Sequence, residues 1–219
     1  MYQYVLFDLD GTLTDSKPGI LNCIQYALEK LGRPESDRDK LNCYLGPPLQ
    51  ISFQKYGGFD SETAIQATEI YRERFSTIGL FENCVFDGVI PMMKKLKKAG
   101  KMLAVATSKP KIYTDRILEK YELDPYFSVV VGSELDGTLS DKAEVVAEVF
   151  RQLFLTEADR AKAVMVGDRE YDMTGAIKNK IDCIGVRYGY SEGDELERAG
   201  ATYLVDTVSD LEKFLLSHE

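Results

Sequence analysis

From Phe86 to the C-terminus, short apolar runs alternate with segments of helical spacing, and few folds accommodate that pattern. The spacing predicts a helix over 89–99, a strand at 102–106, a helix over 112–121 and a strand at 129–131. It continues with a helix over 142–153, a strand at 163–166, a helix over 171–179 and a strand at 182–186. A last strand near 203–205 and a helix over 208–216 close the chain. Strands that are apolar throughout are buried on both faces, and helices between them supply the crossovers of a parallel sheet. The expected fold is α/β, a doubly wound parallel sheet, whose functional crevice lies beyond the carboxyl ends of its strands.

The first strand of that sheet is the run Val5-Leu6-Phe7, which turns sharply at Gly11. The stretch after it is of another kind. Ile20, Cys23, Ile24, Ala27, Leu28 and Leu31 repeat at helical spacing between Pro18 and Gly32. A second helix is expected around 65–75, after a cap at Asp60 or Ser61, and the loop Leu45-Gly46-Pro47-Pro48-Leu49 precedes a shorter helical piece. The expected division is a core of residues 1–15 and 83–219 with a helical insertion over 16–82. A chain of 219 residues is long enough for one good core and a second small unit.

Charge and composition then narrow the function. A net charge of −9 with no basic stripe argues against a nucleic-acid polymer as partner. No apolar stretch reaches membrane-spanning length and no signal-peptide pattern precedes the first strand, so a cytoplasmic protein with no membrane partner is expected. Cys23, Cys43, Cys84 and Cys183 are scattered without metal-site spacing and read as reduced thiols. The one histidine, His218, stands next to the C-terminus, which removes histidine triads and histidine-ligated zinc. The chemistry is left to carboxylates, hydroxyls, amines and a metal.

Those groups gather at the strand ends. The first strand delivers Asp8 and Asp10, two like charges that a hard divalent cation such as Mg2+ would neutralise. The run Leu103–Ala106 delivers Thr107, Ser108 and Lys109; a later helix opens with Ser140-Asp141-Lys142; and Val164-Met165-Val166 delivers Gly167, Asp168 and Arg169, with Asp172 beyond. Singly, a strand-end threonine is usually a cap, and a lysine at a helix start is usually solvated. Their joint arrival at one sheet edge points instead to phosphoryl transfer. Asp8 is the candidate nucleophile, forming an aspartyl-phosphate, and Asp10 the acid and base for the leaving alcohol and the attacking water. Asp8, Asp168 and the backbone carbonyl of Asp10 are candidate Mg2+ ligands. Thr107 and Lys142 would hold and neutralise the phosphate, with Asp172 holding a metal-bound water or orienting Lys142. The partner this site suits is a small phosphorylated metabolite.

The segments DLDGTLTDS, VATSK, the later Lys142 and VGDREYDMTGA resemble, in order, the four motifs of the haloacid dehalogenase superfamily. The insertion after the first motif is similar to the helical cap of the branch that contains phosphoglycolate phosphatases, some 5′-nucleotidases and β-phosphoglucomutase. The resemblance implies a phosphatase rather than a dehalogenase, because Asp10 follows Asp8. It also implies a cap loop at Gly46-Pro47-Pro48 that faces the nucleophile. Gly11, Thr12, Thr107, Ser108, Lys109, Gly46 and Pro47 are accordingly the candidate substrate contacts, and Asp172 and Arg169 their supports. Ala143 stands where many relatives carry proline, and Lys109 is a rival to Lys142.

The leading expectation is a Mg2+-dependent, phosphoglycolate phosphatase-like enzyme. The alternatives are a 5′-nucleotidase, a phosphomutase, a phospho-aspartate signalling receiver and a partner-binding protein on a phosphatase scaffold. Either a monomer or a homodimer is compatible with the chain. Glu134-Leu135-Asp136-Gly137-Thr138-Leu139 nearly repeats the first motif, but its apolar strand has already ended, so it reads as an acidic turn. Lys94, Lys95, Lys97, Lys98 and Lys101 read as one solvated helix face; Tyr188 and Tyr190 either touch substrate or pack over the sheet end.

Overall fold

A computed structural model describes residues 2–217. The chain divides into two units, one made of residues up to Asp15 and from Val85 onward, the other of Ser16–Cys84. The second boundary lies two residues beyond the expected restart at 83. In chain order the strands are β1 (Tyr4–Phe7), β2 (Thr14–Asp15), β3 (Cys84–Val85), β4 (Met102–Pro110), β5 (Val129–Ser133), β6 (Ala163–Gly167), β7 (Asp182–Val186) and β8 (Tyr203–Val205). The helices are α1 (Lys17–Lys30), α2 (Leu49–Lys55), α3 (Ser61–Phe75), α4 (Val89–Lys98), α5 (Lys111–Lys120), α6 (Lys142–Gln152), α7 (Glu170–Lys178), α8 (Glu195–Arg198) and α9 (Val208–Ser217).

The first unit is built on a six-stranded sheet in the order β5-β4-β1-β6-β7-β8, and its paired neighbours are parallel. The central strands are apolar throughout because both faces are covered. Leu6, Ala104 and Met165 pack with Val145, Val146 and Val149 of α6 and with Met173 and Ala176 of α7. Val5 and Phe7 alternate to the opposite face and are equally buried. Removing each such side chain from water contributes roughly 1.5–3 kcal/mol.

Strand order then places the crevice. The chain passes from β1 to β4 and β5 on one side, then to β6, β7 and β8 on the other, so the reversal falls beside β1. Phe7 pairs with Val105 and Val166, which leaves Asp8 emerging between the ends of β4 and β6.

Several local expectations need correction. β4 runs on to Pro110 rather than stopping at Ala106, and its register with β5 shifts between those two residues. An irregularity of that kind re-aims side chains, here Thr107, Ser108 and Lys109. β2, β3 and α8 were not foreseen, being too short to show a period. Lys101 lies outside α4 and is buried, its Nζ donating to the Tyr2 carbonyl at 2.8 Å, so it is no part of a solvated face. Residues 134–138 form the expected acidic turn, closed by Glu134 N–H to the Thr138 carbonyl at 2.8 Å.

The second unit is helical. Asp60 caps α3 by accepting from Thr63 N–H at 2.8 Å. Arg74 grips Glu82 through two contacts of 2.6 and 2.9 Å. Gly46 and Pro47 belong to this unit, with Gly46 at φ +106. His218 lies outside the described residues. No described helix is long and apolar enough to cross a membrane.

Candidate active site

Asp8 is the first residue past β1, and its N–H donates to the Val166 carbonyl at 2.9 Å, which fixes the backbone where the sheet ends. Lys142 reaches it from the first turn of α6. That helix is capped by Asp141, whose carboxylate accepts from Ala143 N–H at 2.7 Å. Proline at 143 would lack this N–H, which gives a local reason for alanine there.

Lys142 Nζ lies 2.9 Å from Asp8 Oδ1 and 2.8 Å from Asp172 Oδ1, and donates to the Ala106 carbonyl at 3.0 Å. Neither carboxylate oxygen has a hydrogen bond besides its ion pair among the described residues. Burial acts to strip the proton from the Lys142 ammonium, but Asp172 and Asp8 more than offset it and hold the group above its ordinary range. It is a buried, charged lysine.

Asp10 is turned elsewhere. Its Oδ2 accepts from Lys109 Nζ at 2.7 Å, while Oδ1 is buried with no hydrogen-bond partner among the described residues. The two rival lysines thus have separate partners, Lys142 on the nucleophile and Lys109 on the acid–base candidate. Thr107 is buried near them, its hydroxyl oxygen accepting from Lys109 N–H at 3.3 Å.

Asp8, Asp168 and Asp172 each offer a carboxylate oxygen within 4.8 Å of the others. Burial pushes Asp168 well above the usual carboxylate range, and the charges of Asp172 and Asp8 push it further. Burial raises Asp172 as well, with Lys142 offsetting part of the rise. An all-oxygen set in which three carboxylates share one ammonium fits a hard divalent cation. Asp10 contributes no carboxylate to this cluster; as a metal ligand it is left with its backbone carbonyl.

Other candidates fall into supporting positions. Thr12 is fully buried and its hydroxyl donates to Asp168 Oδ1 at 3.2 Å, so its side chain is not the substrate contact expected. Gly11 sits at φ +82, and a Cβ there would lie 2.1 Å from Asp168 Oδ2, so its use is close approach to that carboxylate. Arg169 sends Nε to Glu195 at 2.7 Å, and its N–H to Asp172 Oδ2 at 3.1 Å. Ser108 accepts at its carbonyl from Ser133 Oγ at 2.8 Å.

Glu195, Gly175 and Gly189 were missed from the sequence, and Gly167 was placed at its strand end without a role. Added Cβ atoms would meet Asp172 Cγ at 2.2 Å from Gly167, Lys142 Cγ at 2.7 Å from Gly175 and Asp168 Cβ at 2.3 Å from Gly189. For Gly189 a signal existed: the run Arg187-Tyr188-Gly189-Tyr190 follows β7 at the carboxyl edge of the sheet.

The model of the haloacid dehalogenase-like hydrolase family matches residues 5–186. The chain belongs to that family. It is 42% identical over 218 residues to a 5′-nucleotidase of Pseudomonas aeruginosa, covering 99% of this chain and 97% of that protein. It is 37% identical to the tyrosine-protein kinase PtkA of Mycobacterium tuberculosis, covering 97% of this chain and 72% of the kinase. A phosphoglycolate phosphatase of Colwellia psychrerythraea is 28% identical, with 95% of each chain covered. The crystal structure of a predicted phosphatase from Clostridium acetobutylicum superposes with a TM-score of 0.93 at 46% identity, covering 99% of each chain. The chain is therefore an enzyme of a hydrolase family, with phosphatases among its relatives, and the signalling-receiver alternative falls.

Proposed function

We propose that the protein is a Mg2+-dependent phosphatase that works through an aspartyl-phosphate on Asp8, with nucleoside 5′-monophosphates as its substrate class. The observation that carries the reaction is Lys142 set 2.9 Å from Asp8 Oδ1 and 2.8 Å from Asp172 Oδ1, beside Asp168. Asp8 and Asp168 would hold the ion through carboxylate oxygens, and Asp10 through its backbone carbonyl. When bound, Mg2+ supplies positive charge to the phosphate oxygens as negative charge builds on them.

Asp8 attacks phosphorus in line, forming an O–P bond as the ester O–P bond breaks. Lys142 neutralises the carboxylate and the incoming phosphate together, and Asp172 keeps the ammonium in place. Asp10 hands a proton to the departing alcohol oxygen and later takes one from the water that cleaves the acyl phosphate. Lys109, 2.7 Å from Asp10 Oδ2, fixes that carboxylate on one side. The Thr107 hydroxyl lies at the β4 irregularity, where a phosphate oxygen would meet it.

The nucleotide reading is supported by the 5′-nucleotidase name at 42% identity, against 28% for the phosphoglycolate phosphatase. We rank 2-phosphoglycolate second as a candidate substrate. The test is phosphate release from nucleoside 5′-monophosphates, 2-phosphoglycolate, glucose 1-phosphate and phosphotyrosine. The highest kcat/KM is expected on a nucleotide. Isomerisation of the sugar phosphate without phosphate release would overturn the hydrolase reading. Asp8→Asn is expected to lower turnover by ~10³-fold or more while folding is retained; undiminished turnover would remove the nucleophile.

A further inference from the structure

Asp168 is held at both oxygens, and neither donor comes from β6, the strand that delivers it. Thr12 Oγ1 donates to Oδ1 at 3.2 Å, and Tyr190 N–H donates to Oδ2 at 2.8 Å. Both donors trace to the segment between β7 and α8. Tyr190 lies in it. Tyr188, also in it, donates its hydroxyl to the Thr12 carbonyl at 3.0 Å, which fixes the backbone carrying the other donor.

The segment is anchored at two further points. The Tyr190 hydroxyl donates to Asp15 Oδ1 at 3.0 Å. Glu195 Oε1 accepts from Arg169 Nε at 2.7 Å and from Glu170 N–H at 3.0 Å, stapling the start of α8 to the residues just past Asp168. Between the anchors, Gly189 lets the backbone lie against the carboxylate.

One oxygen from each of the three carboxylates lies within 4.8 Å of the others, and Lys142 pairs with Asp8 and Asp172 but not with Asp168, so a free aspartate torsion would let Asp168 swing away. Donors on both oxygens oppose that rotation and decide which lone pairs remain for an ion. We infer that the segment from Tyr188 to Glu195 positions Asp168 for a divalent cation, with Tyr188 and Glu195 acting as positioning residues through Thr12 and Arg169. The inference rests on Asp168 being a metal ligand. Removing an outer partner of a metal ligand typically costs 10–100-fold in affinity or activity.

The experiment is calorimetric titration of the full chain with Mg2+ alone, in the wild type and in Tyr188→Phe, Glu195→Ala, Glu195→Gln and Asp168→Asn, alongside kcat as a function of Mg2+. Tyr188→Phe removes one hydroxyl and keeps the ring that packs 5.2 Å from Phe86, so its fold is expected to survive. Tyr188→Phe and Glu195→Ala are each expected to weaken Mg2+ binding by about 10-fold or more, with kcat restored at saturating Mg2+. Glu195→Gln, which keeps an acceptor for Arg169, is expected to fall between Glu195→Ala and the wild type. Wild-type Mg2+ affinity in both Tyr188→Phe and Glu195→Ala overturns the inference, as does a loss of kcat that saturating Mg2+ fails to restore. Weakened binding in Asp168→Asn together with wild-type binding in those two variants overturns the inference alone; undiminished binding in Asp168→Asn overturns the metal reading and the inference with it.

Discussion

Lys142 and Lys109 have similar chemistry and different partners, and the carboxylates around each decide how much it matters. The Lys142 side chain is 4% exposed, against 13% for Asp8 and 1% for Asp172. Replacing it with methionine leaves two buried carboxylates facing Asp168 with no ammonium between them. Breaking a buried charge pair in this way costs about 3–5 kcal/mol. Lys142→Met is therefore expected to unfold earlier in EDTA and to recover part of the loss in Mg2+. Lys109 is nearly as buried, at 6%, but it meets one carboxylate, Asp10, which is 21% exposed. Lys109→Met leaves a single partly exposed carboxylate unpaired and is expected to cost less than Lys142→Met, with the main loss in kcat. Thermal unfolding of both variants, with and without Mg2+, checks the order; an equal cost in EDTA would contradict it.

At the scale of elements, the site depends on how closely α6 and α7 approach. Gly175 in α7 faces Lys142 at the start of α6, and a Cβ there would lie 2.7 Å from Lys142 Cγ and 3.0 Å from its backbone carbon. Asn179 then locks the pair, its Nδ2 donating to the Ala143 and Gly175 carbonyls at 2.9 Å each. Two effects compete in Gly175→Ala. Helix propensity improves by about 1 kcal/mol, while the clash pushes α6 away and carries Lys142 off Asp8. The second governs function, because a shift of ~1 Å at a reacting group can cost ~10²-fold. Gly175→Ala is expected to lose kcat by ~10-fold or more with a smaller change in unfolding temperature. Wild-type kcat would show that α6 is not held by this contact.

For the whole molecule, the sheet carries its carboxylates into one place and accepts their repulsion. A cation that binds the folded chain and not the unfolded one relieves it. At about 100 times its dissociation constant such a ligand contributes about 2.7 kcal/mol. For a chain of this size that corresponds to a rise of about 5–10 °C in unfolding temperature on adding Mg2+ to the EDTA-treated protein. The rise is expected to vanish in Asp168→Asn. A rise of the same size in that variant would place the ion elsewhere.

The helix–strand alternation after Phe86 was legible because hydrophobic periodicity is a property of neighbouring residues, and a parallel sheet burying both faces writes it into each strand. The positions of Asp8, Asp10, Thr107 and Asp168 were legible for a related reason, since strand ends mark the sheet edge whatever the strand order, and Lys142 was legible at the opening of the helix that follows β5. Partners were legible only in part. Lys142 was expected beside the nucleophile with Asp172 orienting it, and stands so; that Lys109 would take Asp10 depends on the register of β1 against β4, which no local pattern carries. Thr12 beneath Asp168, Gly175 against Lys142 and Glu195 on Arg169 join residues up to 156 positions apart, through contacts that exist only once the sheet has formed. The sequence by itself determined which chemical groups reach the crevice; the tertiary structure decided which of them touch, because contact is set by strand order and helix approach.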